Sequence, residues 1–216
     1  MDNLNNTTLN ITEIFYSLQG EAKEVGIPTV FVRLTGCPLR CNYCDTAYAF
    51  KGNNPLSIQH ILDEIAQYNT QYVCVTGGEP MAQSNCLKLL DALIDNDYKV
   101  SMETSGSIDI APVNNKVSIV MDIKTPSSTE EHQNRYENLS ILKSKDQLKF
   151  VIASRLDFDW CTKILENHEV ESEVLFSPVY ESLRPVELAD WILEKKLNVR
   201  LQVQLHKILW GDQKGK

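Results

Sequence analysis

Three cysteines fall within eight residues, in the run Cys37-Pro-Leu-Arg-Cys41-Asn-Tyr-Cys44, with the spacing C-x3-C-x2-C. Thiolates at that density point to a metal ion or an iron–sulfur cluster. Structural zinc normally takes four ligands. Here the nearest histidine, His60, lies sixteen residues beyond Cys44, and no second cysteine pair follows. A distant residue such as Cys74 would have to complete a zinc set. Three thiolates in one tight loop suit a 4Fe–4S cluster better: they hold three irons and leave the fourth open to chelate a substrate or cofactor. The remaining cysteines, Cys74, Cys86 and Cys161, sit in apolar strand or helix patterns and read as buried core.

Something must hold that loop. Strand-like runs cover Thr29–Leu34, Tyr72–Thr76, Lys99–Glu103, Val117–Ile123, Leu148–Ile152, Glu173–Ser177 and Val199–Leu205. Several are nearly continuous in apolar residues, as strands covered on both faces are. Helical stripes lie between them. Ile58, Ile61, Leu62 and Ile65 keep the i, i+3, i+4, i+7 rhythm behind Ser57 as N-cap. Leu87, Leu90 and Leu93 follow Ser84; Phe158, Cys161, Ile164 and Leu165 make a third stripe; Val186, Ala189, Ile192 and Leu193 make a fourth, behind Pro185.

Such βα alternation predicts parallel strands with right-handed crossovers. Sites in parallel α/β folds form at the carboxyl ends of strands. The residues just past the strands here are Gly36-Cys37, Gly77-Gly78-Glu79-Pro80, Glu103-Thr104-Ser105-Gly106, Asp122-Ile123-Lys124-Thr125-Pro126, Ser177-Pro178, and finally Gln204, His206 and Lys207. The polar chemistry is therefore expected at one rim. At 216 residues the chain falls short of the ~250 typical of a closed eight-unit barrel, so the expected architecture is α/β, an incomplete TIM-like barrel of about six or seven mostly parallel strands. Residues 1–12 read as a flexible tail and 13–216 as one domain.

Charge and hydropathy narrow the function. With 29 acidic against 21 basic side chains, the net charge is -8. No basic run exists to neutralise phosphates, which argues against direct nucleic-acid binding. No apolar stretch approaches the ~20 residues of a membrane span. The start, MDNLNNTTLN, has neither a basic nor an apolar segment of a secretory signal, so a cytoplasmic location is expected. Small-molecule or protein substrates fit better.

The cysteine spacing resembles the signature of the radical S-adenosylmethionine superfamily, and Gly77-Gly78-Glu79-Pro80 resembles its GGEP motif. That resemblance implies a 4Fe–4S cluster that binds the methionine end of S-adenosylmethionine. On reduction it yields a 5′-deoxyadenosyl radical that abstracts a hydrogen atom. The cofactor carries the hard step, and the protein positions it. Further segments are more specific: Ile14 to Glu21 (IFYSLQGE), Asp45-Thr46 after Cys44, Thr76 before GGEP, Glu103 to Gly106 (ETSG) and Asp122 to Ser128 (DIKTPSS). Together they resemble the 7-carboxy-7-deazaguanine synthases from about Glu13 to Lys207. These lyases convert 6-carboxy-5,6,7,8-tetrahydropterin to 7-carboxy-7-deazaguanine with loss of ammonia, on the way to queuosine and related 7-deazapurines.

The resemblance also implies roles. Cys37, Cys41 and Cys44 would hold the cluster. Tyr43, Cys44, Asp45, Gly78, Asp122, Ile123 and Lys124 would contact S-adenosylmethionine. Leu18, Gln19, Gly20, Arg33 and Thr76 would contact the pterin, Arg33 by pairing with its carboxylate. The apolar neighbours of Arg33 suggest burial, and a buried arginine needs a partner. Thr46 would bind Mg²⁺, an assignment resting wholly on resemblance. Glu103 and Ser105 are further candidates for the cofactor, and Gln204 and His206 for closing over the substrate. An external donor such as flavodoxin or ferredoxin and a homodimer are implied as partners.

Two departures stand out. Ala22 replaces the glycine of the usual QGEG, which predicts a slightly shifted turn, and Asp122-Ile123-Lys124 stands where many relatives carry Ser-Pro-Lys. Two rival readings remain. A glycyl-radical activase would share the cluster and GGEP but not the Leu-Gln-Gly-Glu and Cys-Asp-Thr segments. A zinc-binding module would be colourless.

Overall fold

A computed structural model describes residues 4–216. Its strands are β1 (Thr8–Leu18), β2 (Pro28–Leu34), β3 (Pro55–Ser57), β4 (Tyr72–Gly77), β5 (Lys99–Thr104), β6 (Ser118–Ile123), β7 (Gln147–Ile152), β8 (Glu173–Pro178) and β9 (Arg200–Leu201). The α-helices are α1 (Ile58–Ile65), α2 (Cys86–Asp95), α3 (Arg155–Asn167), α4 (Pro185–Lys195) and α5 (Leu205–Trp210). All nine strands form one sheet in the order β3-β1-β2-β4-β5-β6-β7-β8-β9. From β2 to β9 every pairing is parallel, seven strands in all. β1 runs antiparallel to β2, and β3 antiparallel to β1. Among the described residues the ends β3 and β9 do not pair, so the sheet is open, as a partial barrel is.

The two faces of the parallel strands differ, as a period of two requires. Val30, Val32 and Leu34 of β2, Val73 and Val75 of β4, Met102 of β5, Ile119, Met121 and Ile123 of β6, and Leu148, Phe150 and Ile152 of β7 form the apolar face. It packs against Ile58, Ile61 and Ile65 of α1, Leu89, Leu90 and Leu93 of α2, and Phe158 and Cys161 of α3 within one core. Each such fully buried side chain contributes roughly 1.5–3 kcal/mol of transfer free energy. The other face carries Phe31, Arg33, Thr76, Glu103, Val120, Asp122, Lys149 and Val151, and it lines a cavity. The strands are covered on both sides, but the inner side is largely polar.

Caps fix helix entry. Ser57 accepts from the His60 N–H at 3.2 Å, and Ser154 from the Asp157 N–H at 3.2 Å.

Several expectations change. The tail read over residues 1–12 ends earlier, because residues 8–12 belong to β1. Leu9 and Ile11 are buried, and β1 pairs with β2 and β3. Their alternation with Asn10 and Thr12 is a strand signal hidden in an Asn-rich segment. Residues 1–3 of that tail lie outside the described residues. Seven of the nine strands match the predicted runs; β1 and the three-residue β3 were not among them. The last predicted strand, Val199–Leu205, pairs only at Arg200 and Leu201, and Leu205 opens α5. On α4 the buried residues are Leu188 and Ile192, whereas Val186 and Leu193 are 56% and 73% exposed. On α2 the buried face includes Cys86 and Leu89, and Asn85 rather than Ser84 is the N-cap. Among the described residues no helix is long and apolar enough to cross a membrane.

Candidate active site

The cysteine loop leaves β2 through Gly36, whose φ of +101° lies in the left-handed region that glycine enters freely. The GGEP turn leaves the adjacent strand β4 and packs straight onto it. A Cβ on Gly78 would sit 2.3 Å from the Gly36 carbonyl oxygen and 2.7 Å from Cys37 Cβ. The Glu79 N–H donates to the Gly36 carbonyl at 2.8 Å. Glycine at 78 is thus set by backbone approach to the cysteine loop. Glu79 itself is fully buried. Its carboxylate accepts from Thr104 Oγ1 (2.9 and 3.0 Å), Ser105 Oγ (2.6 Å), the Ser105 N–H (2.7 Å) and the Met81 N–H (3.0 Å). It is a strut between the turns after β4 and β5.

The thiols of Cys37, Cys41 and Cys44 are free and half-buried. They line a cavity of about 670 Å³, in the range of small-molecule sites. Burial pushes the Cys41 thiol up to about 11 and that of Cys37 upward, with Lys124 pulling both toward the thiolate. The Tyr43 hydroxyl bonds Thr125 Oγ1 at 3.1 Å and donates to the Val151 carbonyl at 3.3 Å, which pins the loop between two of the cysteines. Burial raises its pKa. Among the described residues, no group of three or more His, Cys, Asp or Glu side chains converges on a single ion. All three thiols of the triplet face one cavity. Cys74, Cys86 and Cys161 are all fully buried, as read from the sequence.

Leu18, Gln19, Gly20, Arg33, Tyr43, Asp45, Thr46, Thr76, Gly78, Asp122 and Lys124 line the same cavity. Ile123 does not: its side chain lies in the apolar core on the opposite face of β6, so only its backbone is available.

The cavity has a floor that the one-rim expectation missed. Because β1 is antiparallel, Leu18 sits opposite Pro28 at the amino end of β2. The following loop plugs the barrel from below. Ala22 is buried there with φ +62°, so the turn is left-handed rather than shifted. Its N–H and C=O bond the Gln202 side chain at 2.7 and 2.9 Å. The Lys23 N–H donates to Gln147 Oε1 at 2.8 Å. The Gly20 carbonyl accepts from the Leu205 N–H at 2.9 Å, and a Cβ on Gly20 would meet His206 Nδ1 at 2.2 Å.

The pterin candidates form a connected set. Glu103 accepts from Thr76 Oγ1 at 2.9 Å and from Gln19 Nε2 at 3.4 Å. Arg33 does have its partner, but it is Glu13: Arg33 Nε donates to Glu13 Oε1 at 2.7 Å, and the Tyr48 hydroxyl donates to the same oxygen at 2.7 Å. Thr46 Oγ1 lies 3.8 Å from Cys44 Sγ.

Four charges alternate across the interior. Glu21 and Lys149 form a close ion pair. Lys149 Nζ is also 4.0 Å from Asp122, and Lys124 Nζ is 3.2 Å from Asp122. Burial would push the Glu21 carboxyl up, but Lys149 outweighs it and holds it below the usual carboxylate range. Burial likewise opposes the Lys149 cation; Glu21 first, then Asp122 and Glu103, outweigh it and raise its pKa. Lys124 is raised in the same way, burial opposing and Asp122 prevailing.

Residues 31–139 match the model of the Radical SAM superfamily. The chain is similar over nearly its full length to 7-carboxy-7-deazaguanine synthases. That of Chlorobaculum tepidum is 39% identical, covering 96% of this chain and 97% of the relative. That of Koribacter versatilis is 40% identical, covering 94% and 97%. The chain belongs to the 7-carboxy-7-deazaguanine synthase family. The crystal structure of QueE from Escherichia coli superposes with a TM-score of 0.78 at 22% identity, over 94% of this chain and 96% of that one, a likeness of fold.

Membership in the 7-carboxy-7-deazaguanine synthases makes the chain a radical S-adenosylmethionine enzyme, with a 4Fe–4S cluster and S-adenosylmethionine as cofactors. The site fits them: three cavity-facing thiols, a turn at Gly78 with no room for a side chain, and buried cations at Lys124 and Lys149. Relatives matched end to end set the synthase family above an activase, and the superfamily match sets a cluster above zinc. Glu13, Tyr48 and Lys149 were not read as site residues from the sequence. Glu21 and Glu79 were read only as letters of motifs. Only the segment contexts of Glu21 and Glu79 could have flagged them.

Proposed function

We propose that this enzyme converts 6-carboxy-5,6,7,8-tetrahydropterin to 7-carboxy-7-deazaguanine with loss of ammonia, within queuosine biosynthesis. The observation that carries this is the Gln19–Glu103–Thr76 set facing the cysteine triplet across one cavity. A pterin edge presents adjacent donors and acceptors, which amide, hydroxyl and backbone groups match. Leu18 and Gly20 supply backbone contacts from the floor. Glu13 engages Arg33 at Nε, which leaves its Nη groups to meet the substrate carboxylate.

Cys37, Cys41 and Cys44 hold the cluster. Gly78 admits the methionine end of S-adenosylmethionine, and Tyr43, Asp45, Asp122, the Ile123 backbone and Lys124 surround the rest. When bound, these cofactors supply hydrogen-atom abstraction from the substrate. The chain orients the pterin, keeps water out and fixes the charges around it.

Mg²⁺ belongs to the same reading. Thr46 offers one hydroxyl beside the cluster loop, so the ion would take most of its remaining ligands from water and substrate. We also assign an external one-electron donor of the flavodoxin or ferredoxin type, a homodimer, a cytoplasmic location, and a single radical domain whose core runs from Leu9 to Ile192. The test is substrate discrimination by the reconstituted enzyme: the 6-carboxylated pterin is turned over, and its analogue lacking the carboxylate is not. Equal turnover of both would remove the Arg33 assignment and with it this substrate.

A further inference from the structure

Lys149 looks like a solvent-facing strand residue in the run Gln147-Leu-Lys-Phe-Val-Ile152. It is nothing of the kind. Its side chain is 13% exposed, inside the barrel, and it lies in register with Asp122 on the neighbouring strand. Its ammonium meets two carboxylates from opposite ends of the cavity. Glu21 comes up from the floor loop, and Asp122 stands on β6 among the residues next to the cysteine loop. Among the described residues, it is the one cation paired with both. Glu21 is in turn held by Gln204 Nε2 at 2.7 Å, and Gln19, two residues earlier, reaches Glu103.

We propose that Lys149 is a positioning residue that sets the distance between the floor and the cofactor side of the cavity. It does so by clamping Glu21 and Asp122 together, without touching the substrate. The proposal rests on the pterin reading above and deepens it. The physical case is charge balance. Asp122 also has Lys124, but among the described residues the ion pair of Glu21 is with Lys149 alone, and a buried carboxylate left without its cation costs several kcal/mol. With Lys149 between them the arrangement is stable, and the floor loop has one place to be. Without it, Glu21 must swing toward water or take up a proton, and either response moves Gln19. A displacement of about 1 Å at a positioning contact can cost on the order of 100-fold in rate.

The test uses Lys149→Met, which keeps most of the volume, Lys149→Arg, which keeps the charge, and Glu21→Gln. The first readout needs no cluster: binding of 6-carboxypterin, the oxidised unreactive analogue, to the metal-free protein by fluorescence. The second is the ratio of 5′-deoxyadenosine to product in the reconstituted enzyme. Lys149→Met is expected to weaken analogue binding by about tenfold or more and to raise the ratio, with Lys149→Arg recovering much of both. Glu21→Gln is expected to mimic Lys149→Met, and the double variant to add little to either single one.

Unchanged analogue binding and an unchanged ratio in folded Lys149→Met would overturn the proposal. If Lys149→Met does not fold, Glu21→Gln alone decides: wild-type values there overturn it equally. Wild-type protein that neither binds the analogue nor turns over the carboxylated pterin would instead remove the pterin reading itself.

Discussion

The side chain of Gln202 holds both backbone polar groups of Ala22, a residue 180 positions away, accepting from its N–H at 2.7 Å and donating to its C=O at 2.9 Å. This pair fastens the floor loop to the end of the sheet. It also holds an alanine at φ +62°, where a Cβ costs about 1–2 kcal/mol. Ala22→Gly should therefore be neutral to stabilising by about 1 kcal/mol, part of the relief being offset by the extra freedom of glycine in the unfolded chain. Gln202→Ala should destabilise by about 2–3 kcal/mol, since it strands two buried backbone groups. Urea titration of the metal-free protein reads both. A stable Gln202→Ala protein would show that the loop has other anchors of equal weight.

Glu79 makes the second prediction. Four donors from two strand-end turns converge on its carboxylate. Glu79→Ala should cost about 3 kcal/mol or more in stability, because those donors stay buried. It should also weaken S-adenosylmethionine binding, because the Gly78 turn loses its strut. Glu79→Gln keeps one acceptor and should fall between. Calorimetric binding of S-adenosylmethionine to the reconstituted protein checks the order.

At Gly78 the prediction is steric. Gly78→Ala puts a methyl 2.3 Å from the Gly36 carbonyl, which is backbone and has little room to give. The variant should lose most S-adenosylmethionine binding while its iron content falls less. Gly20→Ala is different in kind, because its clash at 2.2 Å is with the His206 ring, a movable side chain. A Gly20→Ala/His206→Ala double variant should recover the folding stability lost in the single one. If it does not, the clash is not the cause.

The fourth prediction concerns pH. Glu21 is held below its usual pKa, so its contribution is present above the unfolded value of about 4.3 and is lost as pH falls through the lower folded value. Lys149 is raised, so its contribution is present below the unfolded value of about 10.4 and fades only as pH rises through the higher folded value. The stability gap between wild type and Glu21→Gln should be flat from about pH 6 to 9 and shrink below about pH 4. Unfolding curves of metal-free protein across that range read it. A gap that grows in acid would contradict the ion pair.

The parallel strands, the Ser57 cap and the cysteine loop were legible in the sequence because each is a local signal: a run of apolar residues, a serine before a stripe, a spacing. Residues whose meaning depends on partners far along the chain were not. Lys149 reads as a surface lysine until β7 is placed beside β6. Arg33 reads as a buried arginine with no protein partner until β1 brings Glu13 to its Nε. β1 was missed in part because its first residues are polar, and without β1 the loop after it could not be recognised as a floor. Ile123 shows the converse: a motif placed it in the site, but strand alternation turns its side chain into the core.

The most direct measurement is the product of anaerobic turnover. Protein reconstituted with iron and sulfide receives S-adenosylmethionine, dithionite, Mg²⁺ and 6-carboxy-5,6,7,8-tetrahydropterin, and mass spectrometry follows the pterin. The expected result is 7-carboxy-7-deazaguanine with released ammonia, abolished in Cys41→Ala. Formation of 5′-deoxyadenosine with no 7-carboxy-7-deazaguanine would contradict the assigned substrate, and full activity in Cys41→Ala would contradict the cluster as well.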